Sequence, residues 1–412
     1  SELKRKKPNF RPPIKVNNWT EYLRGQQMPS FTIDKKNYLN VTEQPLSGSS
    51  FVNWLKILVQ NHFDIDYQFL PRAIYVTAMS AFLAPFRYYE HKKFDEKLKK
   101  VHVKEPIFIL GHWRSGTTFL HYLLGQDPKL GFVSTFETMT PGMIIANEEM
   151  FKNIVKNHLP AKRPMDDLEM HANLPYEEEY AISNMSPYSF YHGWYFPKNW
   201  NYYFDKYVLF KNRSEKEINQ WKNTYDYFLK KITYKNNGNH IMLKSLVNTA
   251  RIKQLVELYP NARFIHIHRN PYQVYKSTWK LYQKILPIFS FQHIDSKTLD
   301  TYILQTYRKL FSKFLADKHL IPKENLVEFS YDKFIKKPVE TIRNTYKTLG
   351  LTSFNQAKSY FTDYADKHKN YKSSNYTFTE EEKQKIYSNW KQMFKAYRSE
   401  EHTSELQSLL II

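Results

Sequence analysis

The sequence predicts an α/β fold, a three-layer sandwich with a central parallel sheet flanked by helices and preceded by an N-terminal helical extension. Three observations carry this. An apolar run at Ile107–Leu110 breaks into a Gly-containing loop and then into a helical pattern, in "PIFILGHWRSGTTFLHYLL". Strand-like and helix-like segments alternate after residue 240. The chain has 412 residues, 42% of them hydrophobic and 17% aromatic, which is enough to fill a large core.

Taken in order, residues 1–49 are basic, Pro-containing and weakly periodic, and read as an extended arm. From Ser50 the pattern turns helical, with Phe51, Trp54, Leu55 and Leu58 on one face. The stretch Leu70–Phe86 is interrupted by Pro71, Arg72 and Pro85 and is too short to span a bilayer, so it reads as a packed or interfacial helix. A further helix crosses Phe94–Lys100 and completes a helical preface over 50–105. The first strand then ends at Leu110, and a helix begins near Thr117.

An aromatic-rich insertion occupies 138–239. Its clearest element starts at Ser214, which stands at capping-box spacing from Glu217. Ile218, Trp221, Tyr225, Phe228, Leu229 and Ile232 mark one face of the long helix that follows. "HIMLKS" and "ARFIHIHR" supply two more strands, separated by a helix from about Ala250 to Tyr259 and followed by another beyond Pro271. "NLVEFSYDKF" supplies a fourth strand, and "PVETIRNTYKTLGL" a helix with Pro338 at its start and Gly350 at its end. The main domain therefore runs from 50 to 397. Residues 398–408, "RSEEHTSELQS", look like the translation of a sequencing adapter, and 398–412 are set aside from the fold as an artefact.

Net charge is +21, which points to an anionic partner. The absence of cysteine excludes disulfides, thiolate metal sites and a cysteine nucleophile. No signal peptide is visible, and the expected location is the cytoplasm, with peripheral contact to a membrane through the helical preface as a further expectation.

The loop GHWRSGTT is an anion site by construction. Its amides and the following helix N-terminus converge on one spot, and Gly111 and Gly116 permit the tight path. The spacing matches the triphosphate loop G-x-x-x-x-G-K-[ST], except that Thr117 stands where lysine is required. Positive charge comes instead from Arg114, whose planar fork suits a phosphate. No acidic motif after a strand offers magnesium ligands, as a phosphotransferase would need. A second anion site follows from "RFIHIHRNPYQVYKST", where Arg269 ends a strand and Ser277 lies in the first two turns of the next helix. Two phosphate sites on one sheet fit a nucleotide phosphorylated at two positions.

"GHWRSGTT", "FIHIHRNPYQVYKST" and "VEFSYDKF" together resemble the sulfotransferases that use 3′-phosphoadenosine 5′-phosphosulfate, in particular the bacterial group with an Arg-Ser-Gly-Thr-Thr loop. The resemblance covers about residues 50–397 and implies the P-loop-like sandwich. It implies that Arg114, Ser115, Gly116, Thr117 and Thr118 hold the 5′-phosphosulfate, and that Arg269 and Ser277 hold the 3′-phosphate. It also implies sulfuryl transfer to a hydroxyl or amine without a metal, with Arg114 stabilising the transferred charge. The acceptor base is sought in "LPYEEEY", where relatives carry an acidic cluster: Glu177 or Glu179 is the base or orients the acceptor, or these residues only complement a helix N-terminus. Glu137 is the other candidate, standing where tyrosine-sulfating relatives keep a catalytic glutamate. His112, inside the loop, abstracts the proton or is a packing or hydrogen-bonding residue. Lys244 and Ser245 line the cleft or cap their strand, and Lys372 covers the nucleotide or is an exposed loop lysine. The aromatic run 186–204 is an acceptor platform or a packing layer. The expected partners are the nucleotide and an acceptor, not nucleic acid. A phosphotransferase and a basic polyanion-binding protein are the alternative readings.

Overall fold

The structure, a computed structural model, describes residues 30–159, 169–369 and 376–397. The outer part of the arm, Lys372 and the segment 398–412 lie outside the described residues. Strands β1 (Ile107–Gly111), β2 (Leu130–Phe132), β3 (His240–Leu243), β4 (Arg263–His268) and β5 (Leu326–Ser330) form a parallel sheet in the order β2-β3-β1-β4-β5. All of β1 is buried, as expected of a central strand covered on both faces. Its alternate side chains enter different cores: Phe108 and Leu110 join the larger one, Ile107 and Ile109 the smaller. The predicted three layers follow from that alternation. β2 was not read from sequence, because three residues carry no period.

Helices α1 (Phe51–Gln60), α2 (Leu70–Phe82) and α3 (Ala84–Leu98) form the N-terminal extension, and α4 (Thr117–Leu124) follows β1. α5 (Thr135–Met139) leads into the insertion, which holds α6 (Glu148–His158), α7 (Glu179–Met185), α8 (His192–Tyr195), α9 (Trp200–Tyr207) and α10 (Glu215–Lys235). Beyond β3 come α11 (Ile252–Leu258), then α12 (Pro271–Phe289) and α13 (Ser296–Asp317) after β4. After β5 come α14 (Tyr331–Lys336), α15 (Pro338–Thr348), α16 (Phe354–Lys367) and α17 (Glu380–Tyr397). α10 begins with the expected reciprocal cap between Ser214 and Glu217, and all of its predicted stripe except the half-buried Ile218 is fully buried.

Two expectations need correction. In α1 the buried positions are Asn53, Trp54 and Ile57, whereas Phe51 and Leu55 stay 43% and 45% exposed. The inward face is set by Asn53, whose amide donates to Ser183 O at 2.9 Å, a polar anchor that a hydrophobic pattern does not register. The inner end of the arm, from residue 30, is not extended away from the body. Phe31, Ile33 and Leu46 are buried in the large core, and Gln44 Nε2 donates to Phe289 O at 2.8 Å.

The strand order fixes where a ligand goes. The crossover from β1 leads to one edge of the sheet and the crossover from β3 to the other side of β1, so the carboxyl ends of these strands open a crevice. Register does the rest. Gly111 of β1 pairs with Ile267 of β4, which brings Arg269, two residues later, beside the loop that leaves β1.

Candidate active site

The loop from His112 to Gly116 makes a strained turn. Arg114 has φ 72° and Gly116 φ 87°. The left-handed region costs a side-chain-bearing residue of the order of 1–3 kcal/mol and persists only where surroundings over-determine it. At Arg114 they do. Its carbonyl accepts from Arg269 Nη1 at 3.1 Å, and its own Nε donates to Ser277 Oγ at 2.9 Å. Gly116 is required on two counts, since a Cβ there would also come within 2.3 Å of the Tyr331 ring. Tyr331 opens α14 and stacks under the Arg269 guanidinium at 4.6 Å.

The residues of the two expected anion sites therefore meet. Burial, opposed by Tyr331 and reinforced by the Arg114 charge, holds the Arg269 guanidinium below its ordinary pKa. Two cations drawn together at low dielectric are relieved by an anion. Ser115 adds a buried hydroxyl that makes no hydrogen bond among the described residues. In a loop whose neighbours are arginine and a helix N-terminus, such a hydroxyl suits a phosphoryl or sulfuryl oxygen.

Beside the loop lies a pocket of about 30 Å³, lined by Trp113, Arg114, Thr117, Thr118, Glu177, Tyr180 and Trp194 among others. It has room for a hydroxyl-sized group. Lys244, directly after β3, reaches into the same place: its Nζ lies 3.5 Å from Thr118 Oγ1 and 2.6 Å from Glu177 Oε1. The hydroxyl of Tyr191 donates to the other oxygen of Glu177.

The three consecutive glutamates separate completely. Glu177 alone lines the pocket. Glu178 accepts from Tyr225 Oη and Asn248 Nδ2, both at 2.8 Å, and from the backbone N of Lys244 at 3.1 Å. Burial outweighs these donors and pushes its carboxyl up to about 7. Glu179 is fully buried and holds Arg251 through both oxygens, at 2.6 and 3.0 Å, while Ser189 Oγ donates to it at 2.8 Å. Glu137, the other sequence candidate, caps α5 through the Ser134 amide at 2.7 Å and pairs with Lys235 at 2.6 Å. Neither Glu179 nor Glu137 lines the pocket. His112 is buried, with Nδ1 2.9 Å from Trp113 O, and burial pulls its pKa down to about 4.

Sequence reading missed Tyr331 as a neighbour of the site and did not single out Tyr191 and Trp194 within the aromatic run 186–204. Tyr331 had a signal, because it directly follows the strand in "VEFSYDKF". Most of the aromatic run 186–204 is a packing layer, with Phe190, Tyr195, Phe196 and Trp200 inaccessible, but Trp194 presents an edge to the pocket.

A family model described as "Sulfotransferase family" matches residues 106–356, more than half of the chain. The chain belongs to the sulfotransferase family. This sulfotransferase is 28% identical over 363 residues to the omega-hydroxy-beta-dihydromenaquinone-9 sulfotransferase Stf3 of Mycobacterium bovis, covering 87% of this chain and 92% of the relative. The protein of the same name from Mycobacterium tuberculosis matches to the same extent. Among solved structures, the sulfotransferase STF1 from Mycobacterium tuberculosis aligns with TM-score 0.63 at 17% identity, over 82% of this chain and 91% of that one. The sulfotransferase STF9 from Mycobacterium avium aligns with TM-score 0.62 at 15% identity, over 85% and 97%. The family makes this an enzyme of sulfuryl transfer that takes a nucleotide sulfate donor and an acceptor. The sandwich expected from sequence is the fold of these structures.

Proposed function

We propose that the donor is 3′-phosphoadenosine 5′-phosphosulfate, bound without a metal, and that the acceptor is a hydroxyl deprotonated at Glu177. The observation that carries this is the meeting of Arg114, Arg269 and Ser277 around a loop that also holds the buried Ser115 hydroxyl, which has no partner among the described residues. In this reading Arg114, Ser115, Gly116, Thr117 and Thr118 hold the 5′-phosphosulfate, and Arg269 and Ser277 the 3′-phosphate. The donor supplies a sulfuryl group on a good leaving phosphate. Glu177 Oε accepts the acceptor proton as the new S–O bond forms, and the bond from sulfur to the 5′-phosphate breaks. Arg114, the loop amides and Lys244 face the charge left on that phosphate, the role in which one preorganised donor contributes about 3 kcal/mol.

Calorimetry tests the donor assignment. Adenosine 3′,5′-bisphosphate should bind in EDTA, and Arg269→Ala should weaken it about 10- to 150-fold, the worth of a hydrogen bond to a charged group, while adenosine 5′-phosphate should weaken less, through the lost hydrogen bond to the Arg114 carbonyl alone. Equal losses for both nucleotides, or preference for ATP with magnesium, would overturn it.

We place the enzyme in the cytoplasm at a membrane surface. Among the described residues no single helix is long and apolar enough to cross a membrane. The surface contact is supported by α1 and α2, which expose Val52, Val59, Ile74 and Phe82 at 56–67%, together with the net charge of +21. The relative Stf3 is named for a hydroxylated menaquinone, an acceptor of lipid character. The protein should float with anionic phospholipid vesicles at low salt, and the pair Ile74→Asp and Phe82→Asp should abolish flotation without lowering bisphosphate affinity. Flotation unchanged in the variant would sink the contact.

A further inference from the structure

A second cavity, of about 420 Å³, adjoins the small pocket and shares Tyr176 and Ile285 with it. It lies within the size range of ligand sites. Its walls come from α2, α6 and α12, through Met79, Phe151, Val155, Ile288 and Phe289, and from Leu83 between α2 and α3.

Of the polar side chains on its lining, Thr42 and Glu43 stand at exposed positions, Ser47 and Tyr75 are half-buried, and three others are held inside the protein. Gln44 donates to Phe289 O at 2.8 Å and accepts from Leu46 N at 3.3 Å. Thr140 Oγ1 donates to Phe136 O at 3.0 Å, and His158 Nδ1 lies 2.7 Å from Ile154 O. Most of the surface left for an occupant is apolar. The cavity reaches the surface at Phe82 and Ile154, which line it while staying 67% and 48% exposed. Phe86 packs against both Phe82 and Phe151, so α2, α3 and α6 converge at that mouth.

From this geometry we propose that the large cavity takes the hydrocarbon chain of the acceptor, which is therefore a hydroxylated lipid. This deepens the sulfuryl-transfer reading and rests on it. The chain enters at Phe82 and Ile154 and lies between α2, α6 and α12. Its hydroxyl passes Tyr176 and Ile285 into the small pocket, against the carboxylate of Glu177. The wall selects for length and apolarity, and Glu177 for the hydroxyl. Met79 and Ile288 are specificity residues in this scheme, remote from the donor loop.

The test is a series of primary alcohols, from 1-butanol to 1-dodecanol, as acceptors with 3′-phosphoadenosine 5′-phosphosulfate. Burial of each methylene at about 0.8 kcal/mol corresponds to a three- to fourfold rise in kcat/KM per carbon until the cavity is full. Met79→Trp should flatten that rise and leave the 1-butanol rate unchanged. If it fails to fold, Ile288→Phe narrows the same cavity from the opposite wall. A flat chain-length profile in the native enzyme, or a rise that survives in a folded cavity-filling variant, would overturn the proposal. Failure of adenosine 3′,5′-bisphosphate to bind would instead strike the donor-site reading, so the two failures are told apart.

Discussion

Glu177→Gln should lower kcat by about 10²- to 10⁴-fold, the range by which a positioned general base accelerates proton transfer. Of the four carboxylates near this end of the sheet, Glu178 and Glu179 are held by internal donors, Glu137 caps α5, and only Glu177 borders the pocket against the donor loop. The amide retains shape and still accepts from Tyr191, but cannot take a proton. It also leaves Lys244 without its anionic partner, at 2% exposure. Rate should therefore fall in the chemical step, visible in single turnover, while affinity for adenosine 3′,5′-bisphosphate stays within a few-fold. A variant with native kcat would move the base elsewhere.

The neighbouring Glu179 should give the opposite pattern. Glu179→Ala should cost about 3–5 kcal/mol of stability, the usual penalty for removing one partner of a buried ion pair. Its partner Arg251 is completely inaccessible and packs against the Trp221 ring at 4.8 Å. Without the carboxylate, the guanidinium keeps the Tyr207 carbonyl, at 2.7 and 2.9 Å, and Asn248 Oδ1 at 3.3 Å. Those acceptors are neutral and leave its charge uncompensated. Urea unfolding should show the loss, and activity per folded molecule should change little. A stable Glu179→Ala variant with a collapsed kcat would return Glu179 to the list of base candidates.

This contrast shows where sequence stops informing. The loop at 111–118 was legible because glycine spacing, an arginine and a strand-to-helix transition specify an anion site through backbone geometry alone. Arg269 and Ser277 were legible for the same reason, each sitting at a fixed offset from a strand end. The run Glu177-Glu178-Glu179 was not. At a helix start each residue turns about 100° from the last, so three identical side chains point three ways. Which one borders the pocket is set by partners far along the chain, at Arg251, Tyr225 and Lys244. The large cavity was equally hidden, since α2, α6 and α12 are distant in sequence and each shows only an ordinary apolar stripe.

The hydrogen bond from Arg114 Nε to Ser277 Oγ also bears on how this site can evolve. It ties the residue proposed for one phosphate to the residue proposed for the other. Substitutions at the two positions will not add, because either one alone releases the same bond and relaxes the same strained backbone. Epistasis of this kind makes the pair a single heritable unit. A lineage that drifts toward a donor lacking one phosphate cannot abandon half of the cradle while keeping the other half intact.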